Sequence, residues 1–484
     1  MNPVCIIGID GATFKFIDPL IKRGKLKTLK ALIEKGKKYF LLTTIPPLTP
    51  SAWSSLMTGK NPGKHGILDF YEFDKNLEYR ISSMKLKRQK KLWNILSENN
   101  LKSIVYFVPF TYPPEKINGI LVSGFLTPSL NSNFTFPPEF KKNLLKRFPK
   151  YRISEKVKFS RKKSNAFLKD LIELTEIHGE VMEYLVKENE FDFFIGVFMS
   201  VDHAQHWLWY DKEKIERVYE KLDEEIERVI SNLPDGTLII IMSDHGFQRL
   251  KGHFYVNSFL LNKGFLKLKT GGRNSVKFLS YKMGFSPLRV SKVVYKFGFE
   301  KLIRKDKESF GKTASRIGFS YKDIDFNKTK AFGFGYYGFI FVNDNVRFDF
   351  GSVNLRERDK VVREIIETLK EMGDKFGIKV DVWEKEEIYK GPYLEKLPDI
   401  IYSLDLFSYV SSWVPFPDFS FFGPSMTEKT GDHDTEGVLI ISQKGQKVNL
   451  KKKNKANITD ILPTVLDFMK VSKPSDLDGV SLLD

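Results

Sequence analysis

Short apolar runs that stop abruptly at polar residues punctuate the chain. "PVCIIGID" ends at Asp10, "KSIVYFVPF" at Phe110, "FDFFIGVFMSVDH" at His203, "GTLIIIMSDHG" at Gly246 and "PDIIYSL" at Leu404. Runs of this length, rich in β-branched and aromatic residues, predict strands buried on both faces. Between them apolar positions recur at helical spacing, as in "PLIKRGKLKTLKALIEKG" and in "SNAFLKDLIELTEIHGEVMEYLVKEN" from Ser164 to Asn189. Alternating buried strand and helix predicts an α/β fold with a doubly wound, mostly parallel sheet. In such a sheet ligands gather at the carboxyl ends of strands. Asp10, Asp202, Asp244 and His245 all fall at predicted strand endings.

The alternation breaks between residues 265 and 330, where Gly-rich, aromatic and Lys-rich sequence takes over. This stretch reads as a cap inserted into a catalytic core formed by residues 1–264 and 331–484. Charge sharpens the picture. Of the net +18 of the chain, +12 lies between Leu266 and Lys330, which hold 17 basic and 5 acidic residues. Such a segment favours an anionic partner, either a phosphorylated substrate or an anionic membrane surface, unless it is simply a solvated Lys-rich face. No recognition helix, zinc finger or stacking platform accompanies it, so nucleic acid is not the expected partner.

Composition adds limits. The 484 residues are 42% hydrophobic and 29% charged, ordinary for a soluble globular protein. The single cysteine, Cys5, excludes an internal disulfide framework and fits a cytoplasmic protein. No apolar run approaches the roughly 20 residues needed to span a bilayer, and no signal-peptide pattern opens the chain. Oligomeric state is not legible.

Three polar stretches carry candidate chemistry. In "VDHAQH" Asp202 and His206 are four apart, so a helix starting after the strand places both on one face, within reach of one ion. The plainer reading is a helix N-terminal carboxylate with His206 at the surface. In "IIIMSDHGF" an adjacent Asp244 and His245 follow a buried strand directly, where burial is costly without a partner. In "TGDHDTEG" three carboxylates surround His433, which suggests either a solvated loop or a ligating histidine oriented by a neighbouring carboxylate. An Asp and His donor set with almost no thiolate suits two divalent ions, Zn²⁺ first and Mn²⁺ as the alternative. Of the remaining histidines, His65, His203 and His253 have no assigned part.

"TIPPLTPSAWSSLMTGKNPGKHG", residues 44–66, begins a helix of small residues. Thr49 precedes Pro50 at the first helical position and reads as an N-cap whose hydroxyl bonds a free amide of the first turn. The same place suits a nucleophile, because a helix N-terminus attracts phosphate and a nearby ion lowers the pKa of a hydroxyl.

Taken in order, Asp10, Thr49, Asp202 with His206, Asp244 with His245, and His433 resemble the alkaline phosphatase superfamily, and within it the type I phosphodiesterase/nucleotide pyrophosphatase family. "TPSAWSSLMTGKNPGKHGI" resembles the nucleophile motif and "ITDILPTVLDFMKVSKPSDLDGVSLL" the closing segment. Further stretches, among them "KTKAFGFGYYGFIFVN" and "IYKGPYLEKLPDII", resemble a prokaryotic subgroup of predicted phosphohydrolases and phosphomutases. The resemblance implies one metal held by Asp10, Asp244 and His245 with Thr49 bridging, and a second held by Asp202, His206 and His433. It implies hydrolysis of a phosphoric ester through a phosphothreonine intermediate. The alternatives are a phosphomutase using the same intermediate, and a non-catalytic anion or membrane-surface binding protein on this fold. Three residues after Thr49, where an Asn donor to phosphate is sought, stands Ala52, so Ser51 or backbone amides are expected to replace it. "SYVSSWVPFPDFSFFGPSM", residues 408–426, is expected to line a substrate pocket together with the cap.

Overall fold

The computed structural model describes residues 2–75, 78–82, 89–290, 318–412, 415–424 and 428–484. Its centre is a nine-stranded sheet. From edge to edge the strands are Lys455–Asn457, Lys37–Leu42, Glu436–Gln443, Leu238–Met242, Val4–Ile9, Phe193–Phe198, Ser103–Tyr106, Gly119–Val122 and Thr135–Phe136. Four of the five predicted apolar runs supply strands of this sheet, and Val4–Ile9, Phe193–Phe198 and Leu238–Met242 are buried at every position. The five strands from Leu238–Met242 to Gly119–Val122 run parallel, whereas Glu436–Gln443 and Thr135–Phe136 are antiparallel to their neighbours. A doubly wound, mostly parallel sheet is therefore what the chain forms.

Register decides where chemistry collects. Val4 pairs with both Phe193 and Leu238, Ile9 with Phe198, and Gly8 with Met242. Three adjacent parallel strands thus end level with one another, and the residues just after them share one edge.

Two runs behave differently from expectation. "KSIVYFVPF" leaves the strand after Tyr106, because Phe107 and Phe110 turn into the left-handed region at φ 61° and 65°. "PDIIYSL" supplies Ile400–Leu404 to a second sheet, antiparallel to Gly338–Val342 and Val380–Glu384. An apolar run reports burial, not which sheet buries it. The continuous helix suggested by "PLIKRGKLKTLKALIEKG" is two helices, Phe14–Lys22 and Lys27–Lys35, parted at Gly24 with φ 73°.

The second sheet also contains Ala331–Gly333, Tyr409–Ser411, Gly252–Phe254 and Phe422–Gly423. Its hydrophobic core takes Phe265, Leu266, Phe319 and Ile324 from within 265–330, and Phe254, Phe259, Phe332 and Ile340 from either side of it. Excess charge marks a surface, and here it does not coincide with the limits of a core. Residues 291–317 of the basic stretch lie outside the described residues.

Two buried histidines brace the main core. His65 accepts the Ile67 amide at Nδ1 (3.1 Å) and meets Ser55 Oγ through Nε2 at 3.0 Å. His178 lies 2.5 Å from the Tyr106 hydroxyl. Burial pushes both rings down to about 3 from 6.5. Unfolded, they would take up protons below 6.5, so the folded state loses stability as pH falls from there toward 3. Each ring contributes up to about 1.4 kcal/mol per pH unit in that window. In urea titrations between pH 6 and 5, a His178→Gln variant should therefore lose about 1.2 kcal/mol less than the parent chain. Equal losses would show that His178 is protonated in the fold.

Candidate active site

The shared strand edge assembles the predicted residues. Asp10 follows Val4–Ile9, and its amide donates to Phe198 O at 2.9 Å. Asp202 and His206 lie on helix Ser200–Leu208, which starts just beyond Phe193–Phe198. Asp244 and His245 follow Leu238–Met242. His433 arrives on strand Gly431–Asp434, which pairs antiparallel with Gly246–Arg249 in a register that sets His433 opposite Phe247. The His433 and His245 rings stack with centroids 3.6 Å apart. Thr49 opens helix Thr49–Thr58, all ten residues of which are buried.

The histidine rings are aimed by backbone carbonyls. His206 Nδ1 faces Gly431 O at 3.0 Å, His433 Nδ1 faces Pro47 O at 2.7 Å, and His245 Nδ1 faces Gly246 O at 3.0 Å. Each carbonyl can only accept, so each Nδ1 carries a proton; Nε2 of His206 and His245, which burial keeps neutral, presents a lone pair, whereas Asp202 and Asp432 raise His433 against its burial. Those Nε2 atoms converge on carboxylates. Asp202 Oδ1 lies 3.5 Å from Nε2 of both His206 and His433, whose Nε2 atoms are 3.1 Å apart. His245 Nε2 lies 3.3 Å from Asp244 Oδ2 and 3.5 Å from Asp10 Oδ1.

At His245 acceptor thus faces acceptor in a buried space, and Asp10 Oδ1 and Asp244 Oδ2 have no hydrogen-bond donor. Burial, with the Asp244 and Asp202 charges, pushes Asp10 well above the usual carboxylate range, and burial raises Asp244 to about 7. Burial also drives His206 down to about 4 and His245 well below its ordinary value. Such a donor set calls for positive charge, and two groups of ligand atoms lie close enough to share an ion: Asp202, His206 and His433, and Asp10, Asp202 and His245. Asp202 belongs to both, which the sequence did not reveal.

Several local expectations change. The helix at Thr49 has no side-chain cap, and the Thr49 hydroxyl lies 3.2 Å from His245 Nε2 instead of on a first-turn amide. His206 is buried, not at the surface. The carboxylates flanking His433 do not hold its ring. Asp434 pairs with Lys15 and Glu436 with Lys455, while Asp432 accepts Tyr336 and Tyr337 hydroxyls at 2.9 and 2.5 Å and the His433 amide at 2.9 Å. Asp432 fixes the strand that carries His433, and Pro47 O fixes the ring. Ala52 is fully buried in the main core, and Ser51 Oγ is engaged with Thr44 Oγ1 at 2.7 Å and Leu48 O at 3.0 Å, so neither side chain offers the missing donor.

Trp53 was not anticipated. Its Nε1 donates to Asp10 Oδ2 at 2.9 Å, and the ring packs so closely over Gly8 that an added Cβ would sit 2.5 Å from it. His203 pairs with Glu155 at 3.1 Å, away from the converging Nε2 atoms. A cavity of about 390 Å³ is lined by Phe73, Phe334, Phe339, Phe341, Phe348 and the buried Asp69, among others. None of the described residues of the expected 408–426 stretch lines it.

The sequence model of the family described as "Type I phosphodiesterase / nucleotide pyrophosphatase" matches residues 4–412. The chain belongs to this family. Among curated relatives, an ectonucleotide pyrophosphatase/phosphodiesterase of Caenorhabditis elegans is 22% identical over 281 residues, 55% of this chain and 28% of the relative. The chain spans under a third of the length of the curated relatives it matches. The fold of this family member is shared with phosphonoacetate hydrolase from Sinorhizobium meliloti, at TM-score 0.58 and 14% identity over 97% of this chain and 96% of that one. It is also shared with the alkaline phosphatase PafA, at TM-score 0.55 and 14% identity over 100% and 98%.

Proposed function

We propose that the chain is a metal-dependent phosphoric ester hydrolase with Thr49 as its nucleophile. The observation that carries this reading is the convergence of three imidazole Nε2 atoms and the Asp10, Asp202 and Asp244 carboxylates beside the Thr49 hydroxyl. Family membership supports the same reaction class. The donor set fits a pair of divalent cations, with Zn²⁺ suiting mixed Asp and His ligands and Mn²⁺ as the alternative. Asp10, Asp244 and His245, with Thr49, would hold one ion, and Asp202, His206 and His433 the other. Two such ions, when bound, supply Lewis acidity to the phosphoryl oxygens and lower the pKa of the threonine hydroxyl.

The protein supplies aim. The buried N-terminus of helix Thr49–Thr58 directs its positive dipole end toward an anionic phosphate. Thr49 Oγ1 loses its proton and bonds to phosphorus while the ester P–O bond breaks and the leaving oxygen takes up a proton. Water then adds to phosphorus, the Thr49 O–P bond breaks, and the hydroxyl is restored. Turnover of the metal-reconstituted protein against phosphomonoesters, phosphodiesters and nucleotide pyrophosphates tests the reading. ¹⁸O from labelled water should enter the released phosphate once per turnover. Turnover without label would favour phosphoryl transfer between bound molecules, and no turnover on any ester with metal bound would remove the hydrolase reading.

Trp53 offers a finer test. Removing a hydrogen bond that orients a metal-ligating carboxylate costs about 10- to 100-fold in metal affinity or activity. Trp53→Phe keeps an aromatic ring over Gly8 but loses the donor to Asp10. A titration of metal-free protein should show weaker binding by that factor with an unchanged circular dichroism spectrum. Unaltered affinity would make the Trp53 contact purely structural.

A further inference from the structure

Twelve large hydrophobic side chains are exposed among the described residues, and four of them crowd into residues 276–285. Val276, Leu279, Met283 and Phe285 are 68, 58, 65 and 56% exposed. The first two lie on helix Gly272–Lys282, and Met283 follows it directly. Spacings of three and four put Val276, Leu279 and Met283 along one stripe. The helix is anchored by another face. Tyr281 donates to Phe416 O at 2.7 Å, and Phe278 packs on Phe319 and Phe419 with centroids 4.9 and 5.7 Å away. The apolar stripe is therefore not the face that docks the helix onto the second core.

Within its own segment the stripe is bordered by charge of one sign. Residues 265–290 contain Lys267, Lys269, Arg273, Lys277, Lys282 and Arg289 and no acidic residue. Lys277 and Arg289 pair with Asp323 and Asp418, so part of this charge is locally compensated, while Arg273 and Lys282 flank the stripe. A clustered apolar patch rimmed by polar residues marks an interaction surface.

We infer that the Val276–Phe285 face is a peripheral docking surface for an anionic lipid bilayer. An amphipathic helix with a basic border inserts its apolar tips at the headgroup boundary while its cations meet anionic lipid. The exposed stripe lies on one helix and the turn after it, which a fluid interface accommodates without a shape-matched pocket. Two copies of the chain would bring like charges together, and three of the four tips are aliphatic, which suits an acyl boundary better than base stacking. No helix among the described residues is long and apolar enough to cross a membrane.

The experiment is flotation of the full chain with vesicles of phosphatidylglycerol and phosphatidylcholine, 1:1, and with phosphatidylcholine alone, at 50 mM and 500 mM salt. The expected result is binding to the anionic vesicles at low salt, weakened at least tenfold by a Leu279→Ser, Met283→Ser, Phe285→Ser variant and by an Arg273→Glu, Lys282→Glu variant. Metal content and hydrolysis of a soluble ester should match the parent chain, since no altered residue lies at the strand edge. Undiminished binding of the serine variant, equal binding to neutral vesicles, or no vesicle binding would each overturn the inference. So would a dimer on gel filtration that the serine variant abolishes, since the face would then belong to a second copy.

Discussion

Thr49→Ala is expected to lower turnover of a chromogenic phosphodiester by at least about 10⁴-fold, because loss of a nucleophile removes the covalent step outright. The metal content, read by mass spectrometry on the same preparation, should stay at that of the parent chain. The asymmetry follows from geometry. The Thr49 hydroxyl lies 3.2 Å from His245 Nε2, but the carboxylates and ring nitrogens that need a cation are complete without it. Thr49 is also 5% exposed at the start of a helix with no side-chain cap, so losing the hydroxyl removes no capping hydrogen bond. Folding stability should change by less than about 1 kcal/mol, the scale of a cap that is not present here. Thr49→Ser should retain part of the turnover, since it restores the oxygen with more rotamer freedom. Retention of activity in the alanine variant would move the nucleophile to water, and loss of metal together with activity would make Thr49 primarily a ligand.

The two roles weighed for Thr49 show what the sequence can carry. Ahead of Pro50, a cap was the natural local reading, and the helix does begin there. What the local pattern omits is His245, 196 residues further on, toward which the hydroxyl turns. The strand-end residues were legible for a different reason. Parallel neighbours such as Val4–Ile9 and Leu238–Met242 end at the same level, so a polar residue after each apolar run predicts a common edge without any knowledge of contacts. Asp10, Asp202, Asp244 and His245 could be placed together on that basis; His433 was a candidate ligand from its acid-rich surroundings, and its assignment to one ion came from the resemblance.

The supports of the site were hidden because their partners are remote. Tyr336 and Tyr337 reach Asp432 from 96 and 95 residues away, and Trp53 reaches Asp10 across 43. Nothing in "AFGFGYYGFIF" sets its tyrosines apart from the phenylalanines that fill the second core. The same limit explains why Ile400–Leu404 could be read as a strand but not assigned to the second sheet. Apolar patterning encodes burial and periodicity, whereas pairing depends on the whole chain.

Asp244→Asn is expected to act in opposite directions on function and on the metal-free fold. Asp244 Oδ1 accepts the Gly11 amide at 3.2 Å, while Oδ2 lies 3.3 Å from the lone pair of His245 Nε2 and has no donor. An asparagine oriented with its oxygen toward Gly11 keeps the first contact and turns an amide N–H toward His245, replacing a repulsion with a hydrogen bond. It also removes one of the buried negative charges that press on Asp10. In chelator, the variant should be more stable than the parent by about 1–3 kcal/mol, the usual cost of a buried polar atom left unsatisfied. Adding Zn²⁺ should reverse the order. The parent gains RT ln(1 + [L]/Kd) from each bound ion, whereas the variant, with a carboxylate ligand neutralised, gains little and hydrolyses ester at background rate. Urea titrations with and without metal read both signs in one experiment. A variant less stable than the parent in chelator would mean that another donor satisfies Asp244 in the metal-free chain. A variant that gained as much from Zn²⁺ as the parent would remove Asp244 from the metal site. A stability penalty that appears in chelator and is relieved by the ion is what distinguishes a binding centre from a polar seam of the core.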